Sequence, residues 1–127
     1  MDEGPKENRK YDLEERTFQF ANNCKEFLKK VDKSIHNIEY YKQLIRSSGS
    51  VAANFIEASE SLSTPDFSHR IKICRKEAKE SRLWLKLIDV NEQLEANRAS
   101  LIQEGIELTK IFGAILEKMK NGPKASI

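Results

Sequence analysis

The sequence predicts an all-α protein, an antiparallel up-down-up-down four-helix bundle, on three observations. Apolar residues recur at steps of three and four along four segments, each of about 20 to 27 residues, and no segment alternates apolar and polar as a strand does. Only five Gly and three Pro occur in 127 residues, too little turn material for a sheet protein. The links between the segments are short, which makes consecutive helices antiparallel neighbours.

Residues 1–10 are charged, contain Gly4 and Pro5 and show no periodicity, so a loose tail is expected there and the bundle over 11–121. A first helix over 13–31 opens on Glu14 and Glu15, acids suited to a helix N-terminus, and carries Phe20, Cys24, Phe27, Leu28 and Val31 at helical spacing. Asp32, Lys33 and Ser34 form a short link. A second helix over 35–61 puts Tyr41, Leu44, Ser48, Val51, Ala52, Phe55, Ser59 and Leu62 on one side. Its centre is a run of small residues around Gly49, which costs a helix interior roughly 1 kcal/mol relative to Ala and offers a turn as the competing reading. The unbroken apolar register favours a continuous helix, with the small side chains admitting a close neighbour.

Ser63, Thr64, Pro65 and Asp66 are a stop and restart, with Thr64 as N-cap, Pro65 in the first helical position and Asp66 in the first turn. The third helix, over 65–91, carries three faces. Phe67, Ile71, Cys74, Ala78, Ser81, Leu85 and Ile88 form a core seam. Lys72, Arg75, Lys76, Lys79, Arg82 and Lys86 stack into a basic stripe. Ile73, Trp84 and Leu87 share a third face with Glu77 and Glu80, so large apolar groups stand where a surface helix is normally polar and a covering surface is expected. After a polar link at 95–97, a fourth helix shows Leu101, Leu108, Ile111, Phe112, Ile115, Leu116 and Met119; Asn121, Gly122 and Pro123 stop it, leaving 122–127 as a tail.

The formal charge of +2 is the difference between 22 basic and 20 acidic residues, so overall charge selects no class of partner. Distribution says more: between Ser68 and Lys86 seven basic residues meet two acidic ones, a local balance of +5. The N-terminus lacks the apolar core of a signal peptide, and no run approaches the roughly 18 apolar residues of a membrane span, so a cytoplasmic protein with no membrane partner is expected. Cys24 and Cys74 both fall on apolar faces and read as reduced core thiols.

No catalytic constellation is legible, and no cofactor, metal or small-molecule substrate is expected. His36 and His69 lie on different elements without metal-ligand spacing, Gly49 is not part of a phosphate-binding loop, and no Glu has His three positions on, as a di-metal bundle requires. Carboxylates three apart, Glu57 with Glu60 and Glu77 with Glu80, usually form a solvated face or partner Lys and Arg. Arg46 and Glu57, eleven apart, share the outward face of the second helix with Ser50 and Ala53 between, a strip suited to another subunit.

Cations at such spacing most often form a solvated face balanced by acids elsewhere. The functional alternative is a phosphate track on RNA or DNA, which a ring of subunits would multiply. Trp84 points away from the cations, so single-strand stacking finds no support and the indole reads as a packing or interface anchor.

Gln43 to Ala58, QLIRSSGSVAANFIEA, followed by Arg70 to Ile88, RIKICRKEAKESRLWLKLI, resembles the four-helix-bundle family of proteins encoded by intervening sequences in bacterial 23S ribosomal RNA genes. The resemblance rests on the Arg-Ser-Ser-x-Ser-Val run with Asn54 and Glu57 behind it, and on Ala78, Ser81 and Leu83 in an Ala-x-x-Ser-x-Leu pattern. It covers roughly residues 12–120. The resemblance implies a bacterial bundle that assembles into a homo-oligomeric ring, a pentamer, with no established enzymatic activity and no catalytic motif to carry over. The accessory protein of diversity-generating retroelements resembles the same bundle and binds nucleic acid beside a reverse transcriptase, which makes such an enzyme a candidate partner. Ala58 departs from the family, where Gly commonly follows the Glu, and the strong net positive charge of the retroelement proteins is absent.

Taken together, the expectation is a non-enzymatic oligomeric bundle whose subunits meet through Arg46, Asn54, Glu57, Ile73, Glu77, Trp84 and Leu87. Lys72, Arg75, Lys76, Lys79, Arg82 and Lys86 would contact phosphates. The competing expectation is an interaction or scaffold bundle whose cations pair only with acids of neighbouring subunits.

Overall fold

The computed structural model describes the backbone of residues 5–126 and the side chains of 13–121. Four helices follow one another: α1, Pro5–Lys29; α2, Ile35–Ser59; α3, Thr64–Leu87; and α4, Glu95–Ser126, preceded by a single 3-10 turn, Glu92–Leu94. Each packs against the two beside it in a square, α2 with α3 and α3 with α4 most extensively and α1 with α4 least. Among the described residues there is no strand, and no helix is long and apolar enough to cross a membrane.

The helix ends follow local chemistry. Ser34 caps α2, its hydroxyl accepting from the Asn37 N–H at 3.2 Å. Ser63, rather than Thr64, caps α3 by accepting from the Asp66 N–H at 3.2 Å, with Pro65 in the first turn where its missing N–H costs nothing. α3 ends at Leu87, short of residue 91, because Ile88 turns extended (φ −64°, ψ 131°) and is itself fully buried. The Arg98 guanidinium then donates to the carbonyls of Leu85, Lys86 and Ile88, satisfying acceptors that the helix end leaves open. The link therefore occupies 88–94, not 95–97.

The side chains of the tails expected at 1–10 and 122–127 lie outside the described residues. The backbone is helical from Pro5 and as far as Ser126, beyond the sequence-based limits. Proline is at home in a first helical turn, and Lys6, Glu7, Arg9 and Lys10 are good helix formers.

The core seam of α3 is as the spacing predicts: Ile71, Cys74, Ala78, Ser81, Leu85 and Ile88 are buried, and Phe67 is half-buried. They meet Phe20, Phe27 and Leu28 of α1, Leu44, Val51 and Phe55 of α2, and Leu108 and Phe112 of α4. Each large side chain so buried contributes about 1.5–3 kcal/mol before the cost of ordering the chain. Leu62, expected in this core, is 98% exposed because α2 has already ended. α2 runs continuously through Gly49, yet a Cβ added there would meet nothing within 4 Å. The close approach falls instead at Ser47, whose hydroxyl lies 2.8 Å from that of Ser81 on α3, both wholly buried.

Cys24 and Cys74 are free and buried, and burial pushes each thiol from 9.0 up to about 12.

Candidate nucleic-acid interface

α3 is flanked by α2 on one side and α4 on the other, and its polar residues divide accordingly. Toward α2, Arg46 donates to Glu77 at 3.3 and 3.4 Å and to Glu80 at 3.4 Å. Glu77 is buried, and Lys76 also reaches it at 3.7 Å. Arg70 donates to Asn54 Oδ1 at 2.9 Å, and the Asn54 amide donates in turn to the Ser50 carbonyl. Tyr40 stacks on Trp84, with centroids 6.1 Å apart and planes 23° from parallel. The face of α3 that needs cover is therefore turned in large part to α2 of its own chain. Trp84 is half-buried there; Ile73 is also half-buried, while Leu87 and Glu57 stay exposed. The indole Nε1 of Trp84 is buried without a hydrogen-bond partner.

The basic stripe also divides. Lys72, Arg75, Lys79 and Lys86 are exposed and make no ion pair with any described residue, whereas Lys76 is shared with Glu77. Arg82 differs from the rest. Its stem crosses to α4 and lies on Gly105, where an added Cβ would stand 2.7 Å from Arg82 Cγ. Its Nε is buried and unpartnered. Two turns along α4, the Arg75 guanidinium lies over Gly113, its Nη1 4.0 Å from where a Cβ would stand. Gly105 thus makes room for Arg82, whereas at Gly113, eight residues on, a Cβ would stand in ordinary contact with Arg75.

Beyond Arg75 a cleft of about 520 Å³ opens between the start of α3 and the end of α4. Lys72, Arg75 and Lys120 line it together with Thr64, Ser68 and Glu117. Pro65, Leu116 and Met119 supply apolar wall. Among the described residues no group of three or more His, Cys, Asp or Glu is placed to hold a metal ion.

A square bundle with a Ser-to-Ser contact between α2 and α3 and a cationic flank toward α4 can be compared with known proteins. The family model described as 23S rRNA-intervening sequence protein matches residues 9–114. The chain belongs to this family. This member of the intervening-sequence family is similar to a crystal structure from Bacteroides thetaiotaomicron, a protein with unknown function from the S23 ribosomal protein family. The likeness has a TM-score of 0.73 at 26% identity and covers 85% of this chain and 97% of that one. A comparison with curated proteins returns no match.

Sequence reasoning missed three functional or structural placements in this family member. Lys120 joins the stripe from α4, although it lies 34 residues beyond Lys86 and no helical period connects the two. The glycine pair of α4 was a readable signal, since two glycines inside a helix cost stability unless something packs on them. Asn37, buried near the start of α2, donates to the carbonyls of Asp32 and Asp89 and accepts from the Asp89 N–H, tying two links together.

Proposed function

We propose that this chain binds the phosphate backbone of RNA or DNA through the exposed cations of α3, as a self-associating bundle with no catalytic step. The observation that carries the reading is the division of charge on α3. The mid-helix acids Glu77 and Glu80 are taken up by Arg46 on the α2 side, while Lys72, Arg75, Lys79 and Lys86 stay exposed without ion pairs among the described residues. Cations left without internal partners along one helix are free to replace the counterions of a nucleic acid. Membership of a family named for 23S ribosomal RNA intervening sequences is consistent with an RNA context.

The test is a salt titration of binding to a labelled RNA duplex, for the natural chain and for Lys79→Glu with Lys86→Glu. Affinity is expected to fall at least about 10-fold in the double variant, and the slope of log affinity on log salt to shrink by about 2. Binding indifferent to salt, or unchanged by both substitutions, overturns the reading.

A second reading, a protein-interaction scaffold, is favoured by α2. Ile38, Ile45 and Ile56 share one stripe there and are 38%, 40% and 51% exposed. Leu83 and Leu87 on α3 add 47% and 42% exposure. Self-association through such surfaces, into a pentamer or another ring, is checked by light scattering. A chain that is monomeric at micromolar concentration excludes the ring.

A further inference from the structure

The cleft between the first turns of α3 and the last turns of α4 is built differently from the open stripe. Its lining carries three cations, Lys72, Arg75 and Lys120, against one carboxylate, Glu117. They come from two helices and converge on one space, unlike surface lysines strung along a helix. The Arg75 guanidinium lies along α4 at Gly113, its Nη1 4.0 Å from where a Cβ would stand. The hydroxyls of Thr64 and Ser68 add hydrogen-bonding groups on the α3 side, and Pro65, Leu116 and Met119 add apolar wall. A volume of about 520 Å³ falls within the roughly 300–1,000 Å³ of small-ligand sites.

We propose that this cleft seats one nucleotide unit, its phosphate on Arg75, Lys72 and Lys120 and its base against Leu116, Met119 and Pro65. The inference rests on the nucleic-acid reading and adds to it a site for a single terminal unit. A guanidinium presents paired N–H donors to phosphate oxygens, and two ammonium groups complete the charge. The Glu117 carboxylate suits an N–H or O–H donor of the base or sugar. A bare inorganic anion would leave the apolar wall unused. The unit comes either from the phosphorylated end of a strand or from a free mononucleotide, and both present the same chemistry to the cleft.

The experiment uses the full chain with three probes: a short RNA strand bearing a terminal phosphate, the same strand ending in a hydroxyl, and adenosine monophosphate. The variants are Gly113→Leu, which fills the floor without changing charge, and Arg75→Ala, each first checked for an unchanged helical melt. The phosphorylated strand is expected to bind about 10-fold tighter than the hydroxyl strand, as a charge-assisted contact predicts. Either variant should erase that difference. Adenosine monophosphate that binds the natural chain but not Gly113→Leu, with no advantage for the phosphorylated strand, assigns the cleft to the free nucleotide. Strand binding indifferent to the terminal phosphate, with no binding of the monophosphate, overturns the cleft and leaves the stripe standing. Loss of all strand binding with the monophosphate still bound does the reverse.

Discussion

Where α3 meets α2, Ser81 faces Ser47, Arg70 reaches Asn54 and Glu77 takes Arg46; where α3 meets α4, Arg82 and Arg75 lie over two glycines with no ion pair among the described residues. The first flank spends its polar groups on holding two helices in register. The second keeps its charge available. One helix can do both because residues three or four apart share a side while those two apart do not, so structural and functional demands fall on different residues.

The closed flank is broken most completely by alkali. Burial raises the Cys74 thiol, which donates to the Val51 carbonyl across this flank at 3.5 Å, and the Cys24 thiol, both from 9.0 to about 12. Between those limits the folded chain holds protons that the unfolded chain has released, so stability is complete below pH 9 and is lost as pH rises toward 12. The loss is expected to be on the order of a few kcal/mol per thiol. Urea unfolding at pH 8 and pH 11 measures it, and the double variant Cys24→Ala with Cys74→Ala should flatten the pH dependence whatever its own baseline.

Ser81→Leu comes next. It forces a large side chain into a site with no exposure and leaves the Ser47 hydroxyl only the Leu44 carbonyl at 3.4 Å, for an expected loss of about 2–3 kcal/mol in chemical denaturation. A variant as stable as the natural chain would mean that α2 and α3 do not approach as described. Arg46→Ala should cost less, about 1 kcal/mol, because Arg46 is 53% exposed although its partner Glu77 is only 6% exposed. Glu77→Gln in the same background should recover part of it.

The smallest effect belongs to the open flank. Gly105→Ala gains helix propensity but drives a Cβ to within 2.7 Å of the Arg82 stem. In an Arg82→Ala background the same change should be clearly stabilising, with a coupling of about 0.5–1 kcal/mol in a double-mutant cycle. Strict additivity would show that Arg82 does not rest on Gly105.

The core seam of α3 was legible because burial imposes a period that survives in the sequence, and the continuity of α2 through Gly49 was legible for the same reason. The helix boundaries were less so. Ser63 and Thr64 are both competent caps, and the end of α3 depends on Ile88 finding the core and on Arg98 reaching back ten residues to its carbonyl. The covered face was half legible: the need for cover at Trp84 could be read, but not that Tyr40, 44 residues earlier, supplies it. The stripe was read as six equivalent cations, whereas the fold draws Arg82 into packing, shares Lys76 with Glu77 and brings Lys120 to the cleft.

The amino-acid sequence by itself determined the all-α class, the four helices, the seam of each and the run of cations on α3. These are properties of local periodicity, and local periodicity needs no partner to be read. The tertiary structure alone decided which cations are free, which acids are neutralised and where a cleft opens. Those outcomes depend on side chains from helices far apart in the chain meeting at distances of a few ångströms, and no spacing within one helix encodes them.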